Sequence, residues 1–302
     1  MKPVYDLADL RHWRKATRDV DPPIRLGVFG DPVEHSHSPP MQNAALRHCG
    51  VAAQYARFQI CSSELAEAID RAREIGFIGL NLTVPHKTAA PQLLDDAKDN
   101  AQIIGSVNTI SLKDARIVGY NTDGVGFSAA ISEEWESAPL SEFSVLILGA
   151  GGAARAIAAE CVRVGCAKVF VCNRTRAAAD ALISDLARLG SGTAVHAIDP
   201  SRDALRPAMS AANLIVNATS VGLRPGDKPL IDGDLLNVAH FVYDTIYNPP
   251  RTKLLVVAQA AGARIANGSS MLLQQGARAF EIWFEREAPV AVMREALRRA
   301  VP

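Results

Sequence analysis

Short apolar runs recur through the second half of the chain, and glycine or polar residues follow each of them. The stretch Ser144–Gly165 begins with a short apolar run, passes through a glycine-rich turn and becomes an alanine-rich stretch that ends at Gly165. Glycine often follows the last turn of a helix, so this stretch predicts a helix. Residues 168–174 (KVFVCNR) then predict a second buried strand. Strand, helix and strand together form a βαβ unit, which opens many dinucleotide-binding folds.

Three further apolar runs, separated by helix-like stretches, lie at residues 213–219, 241–247 and 263–268. Strands that alternate with helices predict a parallel sheet with helices on both faces. The N-terminal half alternates in the same way. There the pattern predicts strands at residues 24–30, 54–60 and 76–83, and helices near residues 39–49 and 64–74.

A polar hairpin at residues 107–122 separates the two series and leads to Asp123. We place a domain boundary just after it and expect an α/β protein of two domains. Residues 1–23 form a charged N-terminal extension, for which we expect a loosely attached helix. The expected parts are an N-terminal α/β domain (24–124), a Rossmann-type dinucleotide-binding domain (125–268) and C-terminal helices that return to the first domain (269–302).

Charge and composition exclude several classes of protein. Lys and Arg number 32, as do Asp and Glu, so the chain lacks the basic excess of a nucleic-acid-binding protein. No apolar run approaches the ~18 residues of a membrane span, and the charged N-terminal segment is unlike a secretory signal. The five scattered cysteines favour free thiols in a reducing compartment. We expect a cytoplasmic protein with no nucleic-acid or membrane partner, and we leave a homodimer open.

The glycine-rich turn is a candidate cofactor site. Gly149, Gly151 and Ala154 form the pattern G-x-G-x-x-A, which lets a pyrophosphate reach backbone N–H groups at a helix N-terminus. A turn with a purely structural role can have the same sequence pattern. An NAD site usually carries an acidic residue about 20 positions on, where this chain has Asn173-Arg174-Thr175. Unless Arg174 simply faces solvent, it can pair with a 2′-phosphate, so the sequence favours NADP.

Polar residues also cluster where the predicted N-terminal strands end. Ser36 and Ser38 precede a predicted helix, so they can hold a carboxylate or cap that helix, and the residues alone do not decide. Lys87 follows a predicted strand, and Asp123 lies at the domain boundary. Each alone is ordinarily a solvated charge or a turn residue. If they meet in one cleft, they form a pair suited to proton transfer.

Over roughly residues 24 to 290 the chain resembles the shikimate dehydrogenase family. The resemblance is carried by an ordered series of motifs: SHSP, NLTVPHK, GSVNT, GYNTDGVG, GAGGAAR, NRT, NATSVGL, YDTIYNPPRTKLL and NGSSMLLQQGARAF. It implies the NADP-dependent, reversible reduction of 3-dehydroshikimate to shikimate, a step of aromatic amino acid biosynthesis. It also implies that the N-terminal domain binds substrate and carries the catalytic groups, with a deep cleft between it and the nucleotide-binding domain.

The resemblance also implies roles for individual residues. Lys87 would be the catalytic acid and base, assisted by Asp123, and Ser36 and Ser38 would hold the substrate carboxylate. The remaining substrate-binding positions would be Asn81, Thr83, Asn108, Tyr247 and Gln275. The cofactor would contact Gly149, Ala150, Gly151, Gly152 and Ala153 at its pyrophosphate, Asn173, Arg174 and Thr175 at its adenosine phosphate, and Thr219, Thr245 and Gly268 along the remainder. No residue is expected to hold a metal.

Other functions compete with this one. The chain departs from the family pattern at Gln42, where histidine is common, and at Ala178, where a basic residue often stands. A relative acting on quinate or an amino-shikimate would keep most of the motifs, although the paired serines favour shikimate. A metabolite-binding sensor would keep the fold but would not need Lys87 and Asp123. A folate-linked dehydrogenase would keep the glycine turn but would not explain the paired serines together with Gln275.

Overall fold

The computed structural model describes residues 2–98, 101–135, 138–190 and 192–300. The chain divides into two compact units, one formed by residues 1–122 and 273–302 and the other by residues 123–272. Which unit binds the substrate and which binds the cofactor stays a prediction. Each unit is built around its own sheet.

The first unit contains a mixed sheet of seven strands. The strands are β1 (Tyr5–Asp6), β2 (Ile24–Gly30), β3 (Gln54–Gln59), β4 (Gly79–Leu82), β5 (Asp96–Ala97), β6 (Thr109–Ser111) and β7 (Val118–Tyr120). Their order is β1-β3-β2-β4-β6-β7-β5. The first four strands in this order run parallel, while β6 is antiparallel to both of its neighbours. The predicted hairpin is therefore confirmed, as are the predicted strands, with ends that differ by a few residues.

Short helices connect these strands. They are α1 (Leu7–Arg11), α2 (Trp13–Ala16), α3 (Ser38–His48), α4 (Leu65–Glu74) and α5 (Ala101–Ile104), with 3-10 turns at Ser62–Glu64, His86–Thr88, Ala90–Leu93 and Lys113–Ala115. Helix α3 has prolines in its first turn, where the missing N–H would have no partner within the helix. The two helices predicted in this half are confirmed.

The N-terminal segment does contain helices, α1 and α2, but the expectation that it is loosely attached is wrong. Strand β1 pairs with β3, and Tyr5 lies against Phe58 with ring centroids 5.5 Å apart. Leu7 and Leu10 are buried in the core of the first unit. The segment looked peripheral because charged residues separate its few apolar side chains. The larger ones nevertheless contact the core, because Tyr5, Leu7 and Leu10 are buried in it and Trp13 and Val20 pack against it.

The second unit contains six strands, all parallel. They are β8 (Ser144–Leu148), β9 (Lys168–Cys172), β10 (Ala194–Ile198), β11 (Leu214–Asn217), β12 (Phe241–Asp244) and β13 (Arg264–Asn267). The connecting helices are α6 (Asp123–Glu134), α7 (Gly152–Arg163), α8 (Arg176–Ala187), α9 (Arg202–Ala211) and α10 (Lys253–Ala260), with 3-10 turns at Leu140–Glu142 and Gly233–Leu235. The order β10-β9-β8-β11-β12-β13 is that of a doubly wound dinucleotide-binding fold, which confirms the predicted Rossmann-type domain.

Two helices close the chain, α11 (Ser269–Phe284) and α12 (Val290–Ala300). Within the first unit, the indole N–H of Trp283 donates to the carbonyl of Ile110 over 2.9 Å. A Cβ atom at Gly79 would lie 2.0 Å from that indole nitrogen, so strand β4 needs a glycine here. Among the helices of the described residues, not one combines the length and the apolar character needed to cross a membrane.

Candidate active site

The glycine-rich turn lies at the carboxyl end of β8, beside β11, where the strand order of the second sheet reverses. Ligands of doubly wound folds bind at this point. Gly149 has a φ of +117°, and a Cβ atom there would lie 2.9 Å from the carbonyl oxygen of Ala218. Gly151 differs, because a Cβ atom there would meet nothing within 4 Å. The protein itself thus requires glycine at 149, whereas at 151 glycine keeps space open in front of α7, as a bound pyrophosphate needs.

The tripeptide after β9 presents its central side chain to solvent. Asn173 donates from Nδ2 to the carbonyl of Thr175 over 2.9 Å and so fixes the turn. Arg174 is exposed, and within the described part of the chain it makes no ion pair. Arg176, one turn further, is instead held by Asp180 at 2.8 Å. Arg174 is therefore the cation of this turn that can pair with an added phosphate.

The carboxyl ends of β11 and β12 are joined by a buried polar network. Asn217 donates from Nδ2 to Asp244 over 3.0 Å and accepts from the Thr219 hydroxyl over 2.8 Å. Burial raises the pKa of Asp244 above the ordinary value of an aspartate. Gly268 follows β13, and a Cβ atom there would lie 2.0 Å from the carbonyl oxygen of Thr245. Close packing alone therefore accounts for glycine at 268, independently of any cofactor.

In the first unit, the two serines predicted to bind a carboxylate lie at the start of α3. Ser38 occupies the first helical position, and His37 before it provides no side-chain cap. The Ser36 hydroxyl accepts a hydrogen bond of 3.3 Å from the backbone N–H of Ser38. The capping interpretation therefore has partial support at Ser36 and none at Ser38.

Lys87 is half-buried on the 3-10 turn His86–Thr88, which follows β4. Its backbone is held on both sides. Val107 donates its N–H to the Lys87 carbonyl over 2.8 Å, and the ring of His86 hydrogen bonds to the carbonyl of Ile60. Thr83 begins the loop into this turn, and Gly30 makes room for it, since a Cβ atom at 30 would lie 2.3 Å from the Thr83 methyl group.

The predicted substrate amides form a connected network. Asn81 donates from Nδ2 to the carbonyl of Asn108 over 3.2 Å and to Thr109 over 3.0 Å. Its Oδ1 accepts from the hydroxyl of Tyr55 over 2.8 Å. Asn108 in turn donates to Oε1 of Gln275 over 3.3 Å. Both amide hydrogens of Asn81 are thus used within the protein, which leaves a lone pair on Oδ1 for a substrate hydroxyl.

Asp123 is the first residue of α6 and is buried. The glycine that follows it has a packing role, because a Cβ atom at Gly124 would lie 2.9 Å from the carbonyl oxygen of Ala156 in α7. Asp123 and the half-buried Tyr247 belong to the second unit, while the other predicted substrate residues belong to the first. Their shared role in one site stays a prediction.

Sequence reasoning missed residues that hold this site in place. Tyr55 and Arg57 lie on β3, and both donate side-chain hydrogen bonds to predicted site segments. Their alternation with apolar residues in QYARFQI was a usable signal, because it places them on one face of the strand. Gln42, noted as a departure from the family pattern, donates from Nε2 to the carbonyl of Gly276, next to Gln275, over 2.8 Å.

Comparison with known proteins covers most of the chain. Residues 28–110 match the shikimate dehydrogenase substrate binding domain, 133–224 match shikimate / quinate 5-dehydrogenase, and 268–298 match the shikimate 5′-dehydrogenase C-terminal domain. The shikimate dehydrogenase (NADP(+)) of Symbiobacterium thermophilum is 42% identical over 90% of this chain and 92% of its own length.

Two solved structures show the same similarity. Shikimate 5-dehydrogenase from Thermus thermophilus, in complex with NADP(H) and shikimate, has a TM-score of 0.81 and 36% identity and covers 92% of this chain and 100% of its own. Quinate dehydrogenase from Corynebacterium glutamicum, in complex with NAD, has a TM-score of 0.81 and 32% identity over 91% of this chain and 99% of its own.

Proposed function

Because the chain belongs to the shikimate dehydrogenase family, we propose that it catalyses the reversible, NADP-dependent reduction of 3-dehydroshikimate to shikimate. The enzyme thereby serves aromatic amino acid biosynthesis. One observation carries the proposal. The first unit gathers hydroxyl, amide and ammonium groups where its strands end, while the second has the strand order of a dinucleotide-binding fold with an open glycine turn. A small polar substrate and a nucleotide cofactor are the ligands that these two sets suit.

The cofactor side is assigned as follows. The turn from Gly149 to Ala153 binds the pyrophosphate at the start of α7, where the helix dipole favours negative charge. The Gly149 N–H donates to the carbonyl of Cys172 over 2.7 Å, so Gly149 shapes the turn and the N–H groups that follow it meet the pyrophosphate. Arg174 and Thr175 bind the 2′-phosphate, with Asn173 fixing their turn. NADPH, when bound, supplies the hydride that reduces the carbonyl carbon. Thr219, Thr245 and Gly268 border the rest of the cofactor.

The substrate side is assigned to the first unit and to two residues of the second. Ser36 and Ser38 bind the carboxylate through their hydroxyls. Lys87 donates the proton that the carbonyl oxygen gains on reduction, and it accepts that proton in the reverse direction. Asp123 hydrogen bonds the substrate and keeps it aligned with Lys87. The remaining contacts to ring hydroxyls come from Asn81, Thr83, Asn108, Tyr247 and Gln275.

One comparison of rates tests the proposal. Purified enzyme is assayed with shikimate and with quinate, each with NADP and with NAD. We expect the highest kcat/KM for shikimate with NADP. A higher value for quinate would make the chain a quinate dehydrogenase, the function of one similar solved structure. Tight binding of shikimate without turnover would favour the sensor instead.

Location and assembly form a further part of the proposal. We place the enzyme in the cytoplasm because the described cysteines are free, as they are in a reducing compartment. For its assembly we propose a homodimer, which the mass of the purified enzyme in solution tests directly.

A further inference from the structure

Strand β3 sends alternate side chains to opposite faces of its sheet. Ala56 and Phe58 belong to the apolar core of the first unit. Tyr55, Arg57 and Gln59 therefore lie on the other face, and each donates a side-chain hydrogen bond to a segment outside β3. Their acceptors are, respectively, Asn81, Ser36 and Asp31. One strand face thus supports strand β4 and the loop between β2 and α3, both of which carry predicted site residues.

The contact made by Arg57 has the geometry of a clamp. Its Nε and Nη2 atoms donate to the single carbonyl oxygen of Ser36 over 2.9 and 2.6 Å. The guanidinium is planar and its donors are fixed relative to one another, so two bonds to one oxygen restrict the peptide strongly. Ser36 is held through its backbone, so its hydroxyl, whose oxygen accepts from the Ser38 N–H, can still donate its proton to a ligand. Val33, whose carbonyl accepts from the Ser36 N–H over 3.0 Å, completes the turn.

The charge of Arg57 also acts on this loop. His37, between the two serines, is half-buried, and its pKa is lowered first by burial and then by the positive charges of Arg57 and His35. A field that disfavours a cation at residue 37 favours an anion nearby. A substrate carboxylate at Ser36 and Ser38 would therefore be stabilised by the same charge.

We propose that Arg57 is a positioning residue of the carboxylate site, which holds Ser36 by its carbonyl and supplies positive charge beside the bound anion. This inference rests on the proposed function, because it assumes that Ser36 and Ser38 bind the carboxylate. It adds a residue outside the motifs that carried the resemblance. Arg57 acts through Ser36 and through its charge rather than through the reacting atoms, so it should affect substrate affinity more than turnover.

The test uses Arg57→Met, Arg57→Lys and a matched control, Arg25→Met. Arg25 lies on the neighbouring strand β2 and likewise donates to backbone carbonyls, those of Ile75 and Gly76, over 2.8 and 3.0 Å. We expect Arg57→Met to raise the KM for shikimate roughly tenfold or more while kcat stays within about threefold. For the carboxamide of shikimate, which is neutral, Arg57→Met should raise the KM less than it does for shikimate. Arg57→Lys keeps the charge but not the planar pair of donors, so its KM for shikimate should lie between those of the wild type and Arg57→Met. Arg25→Met should keep the wild-type KM.

A second measurement does not depend on activity. Titration of His37 by NMR should give a higher pKa in Arg57→Met than in the wild-type protein, and an unchanged pKa in Arg25→Met. Inactivity of the wild-type enzyme towards shikimate would overturn the proposed function. Activity of the wild-type enzyme together with a wild-type KM in Arg57→Met, or equal losses for shikimate and its carboxamide, would overturn only the role of Arg57.

Discussion

The Nε2 atom of His86 lies 2.8 Å from the carbonyl oxygen of Ile60, so the residue before Lys87 is tied to the end of β3. His86 is fully buried, and its Nδ1 atom has no hydrogen-bond partner among the described residues. A ring that donates from Nε2 to a carbonyl while neutral leaves Nδ1 unprotonated. Burial lowers the pKa of His86, which keeps this neutral form. The turn that carries Lys87 is therefore anchored by an uncharged imidazole.

This anchor predicts a loss of stability in acid. In the unfolded chain His86 has an ordinary pKa of ~6.5, whereas in the folded chain its pKa is lower, so the folded chain takes up the proton only at a lower pH. The contribution of neutral His86 to the free energy of unfolding is therefore fully present above that pH. It decreases as the pH falls toward the lower pKa that His86 has in the folded chain, by at most ~1.4 kcal/mol per pH unit. His86→Gln keeps a donor for Ile60 but cannot titrate. Urea unfolding between about pH 5 and 7.5 should show a smaller acid loss in this variant. Identical pH slopes would contradict the interpretation.

Lys87→Ala should lower kcat by ~10²–10⁴-fold while changing the KM for shikimate little, because positioned acid and base help acts mainly in the transition state. Steady-state kinetics at saturating NADP measure both constants. Lys98→Ala is the control, since Lys98 lies in the same unit and pairs with Asp96 at the surface over 2.6 Å. Unchanged turnover in Lys87→Ala would remove Lys87 from the mechanism.

Alanine substitutions at Ser36 and Ser38 should distinguish carboxylate binding from capping of helix α3. Ser38→Ala removes no capping bond, so the free energy of unfolding should stay within ~0.5 kcal/mol of wild type. Its KM for shikimate should rise by one to two decades, because a hydrogen bond to a charged group is worth ~1.5–3 kcal/mol. Ser36→Ala should raise KM similarly and also cost ~0.5–2 kcal/mol of stability. A lower Tm with an unchanged KM in either variant would leave the carboxylate without its predicted anchor.

Alanine substitutions at the two glycines of one turn, Gly149 and Gly151, should affect the stability of the protein differently. Gly151→Ala meets open space in the protein, so its Tm should match or slightly exceed that of the wild type. Its KM for NADP should rise by roughly a decade or more, because the added methyl group occupies space assigned to the pyrophosphate and weakens its hydrogen bonds to the backbone. Gly149→Ala should unfold more easily, because its φ of +117° and the nearby Ala218 carbonyl oppose a side chain. Unimpaired NADP binding by Gly151→Ala would show that the turn is only structural.

Arg174→Ala should raise the KM for NADP by one to two decades and barely change kinetics with NAD. The reason is that its charge is assigned to the 2′-phosphate alone, a contact worth ~1.5–3 kcal/mol. Arg176→Ala is the matched comparison, and its effect should be smaller because that guanidinium is held by Asp180. Equal losses with both cofactors would assign Arg174 a structural role.

The strands that sequence predicted best are the buried parallel ones. Strands β8, β11 and β12 are continuous apolar runs because both of their faces are covered. Strand β10 was missed, since it lies at the end of the sheet order and its residues are partly exposed, which weakens the apolar signal. The glycine turn and the tripeptide after β9 were found because their spacing from a strand is local information.

The supporting contacts of the site could not be predicted in this way. The bonds from Tyr55 to Asn81 and from Arg57 to Ser36 join residues 26 and 21 positions apart. Only the folded sheet determines such pairs, because they depend on strand order and register rather than on the residues around each partner. The alternation along β3 indicates which side chains share a face, but not what they meet there.

Both outermost strands of the seven-stranded sheet, β1 and β5, contain only two residues. An outermost strand offers unpaired backbone groups on which another chain can build a further strand, and a long flat one invites aggregation. Here β1 pairs with the last two residues of β3, Phe58 and Gln59, and at the other end of the sheet Asp96 and Lys98 place charges beside the short strand β5. Short outermost strands and the charges beside β5 thus disfavour the addition of a strand from another chain, a property that should help the protein remain dispersed at high concentration.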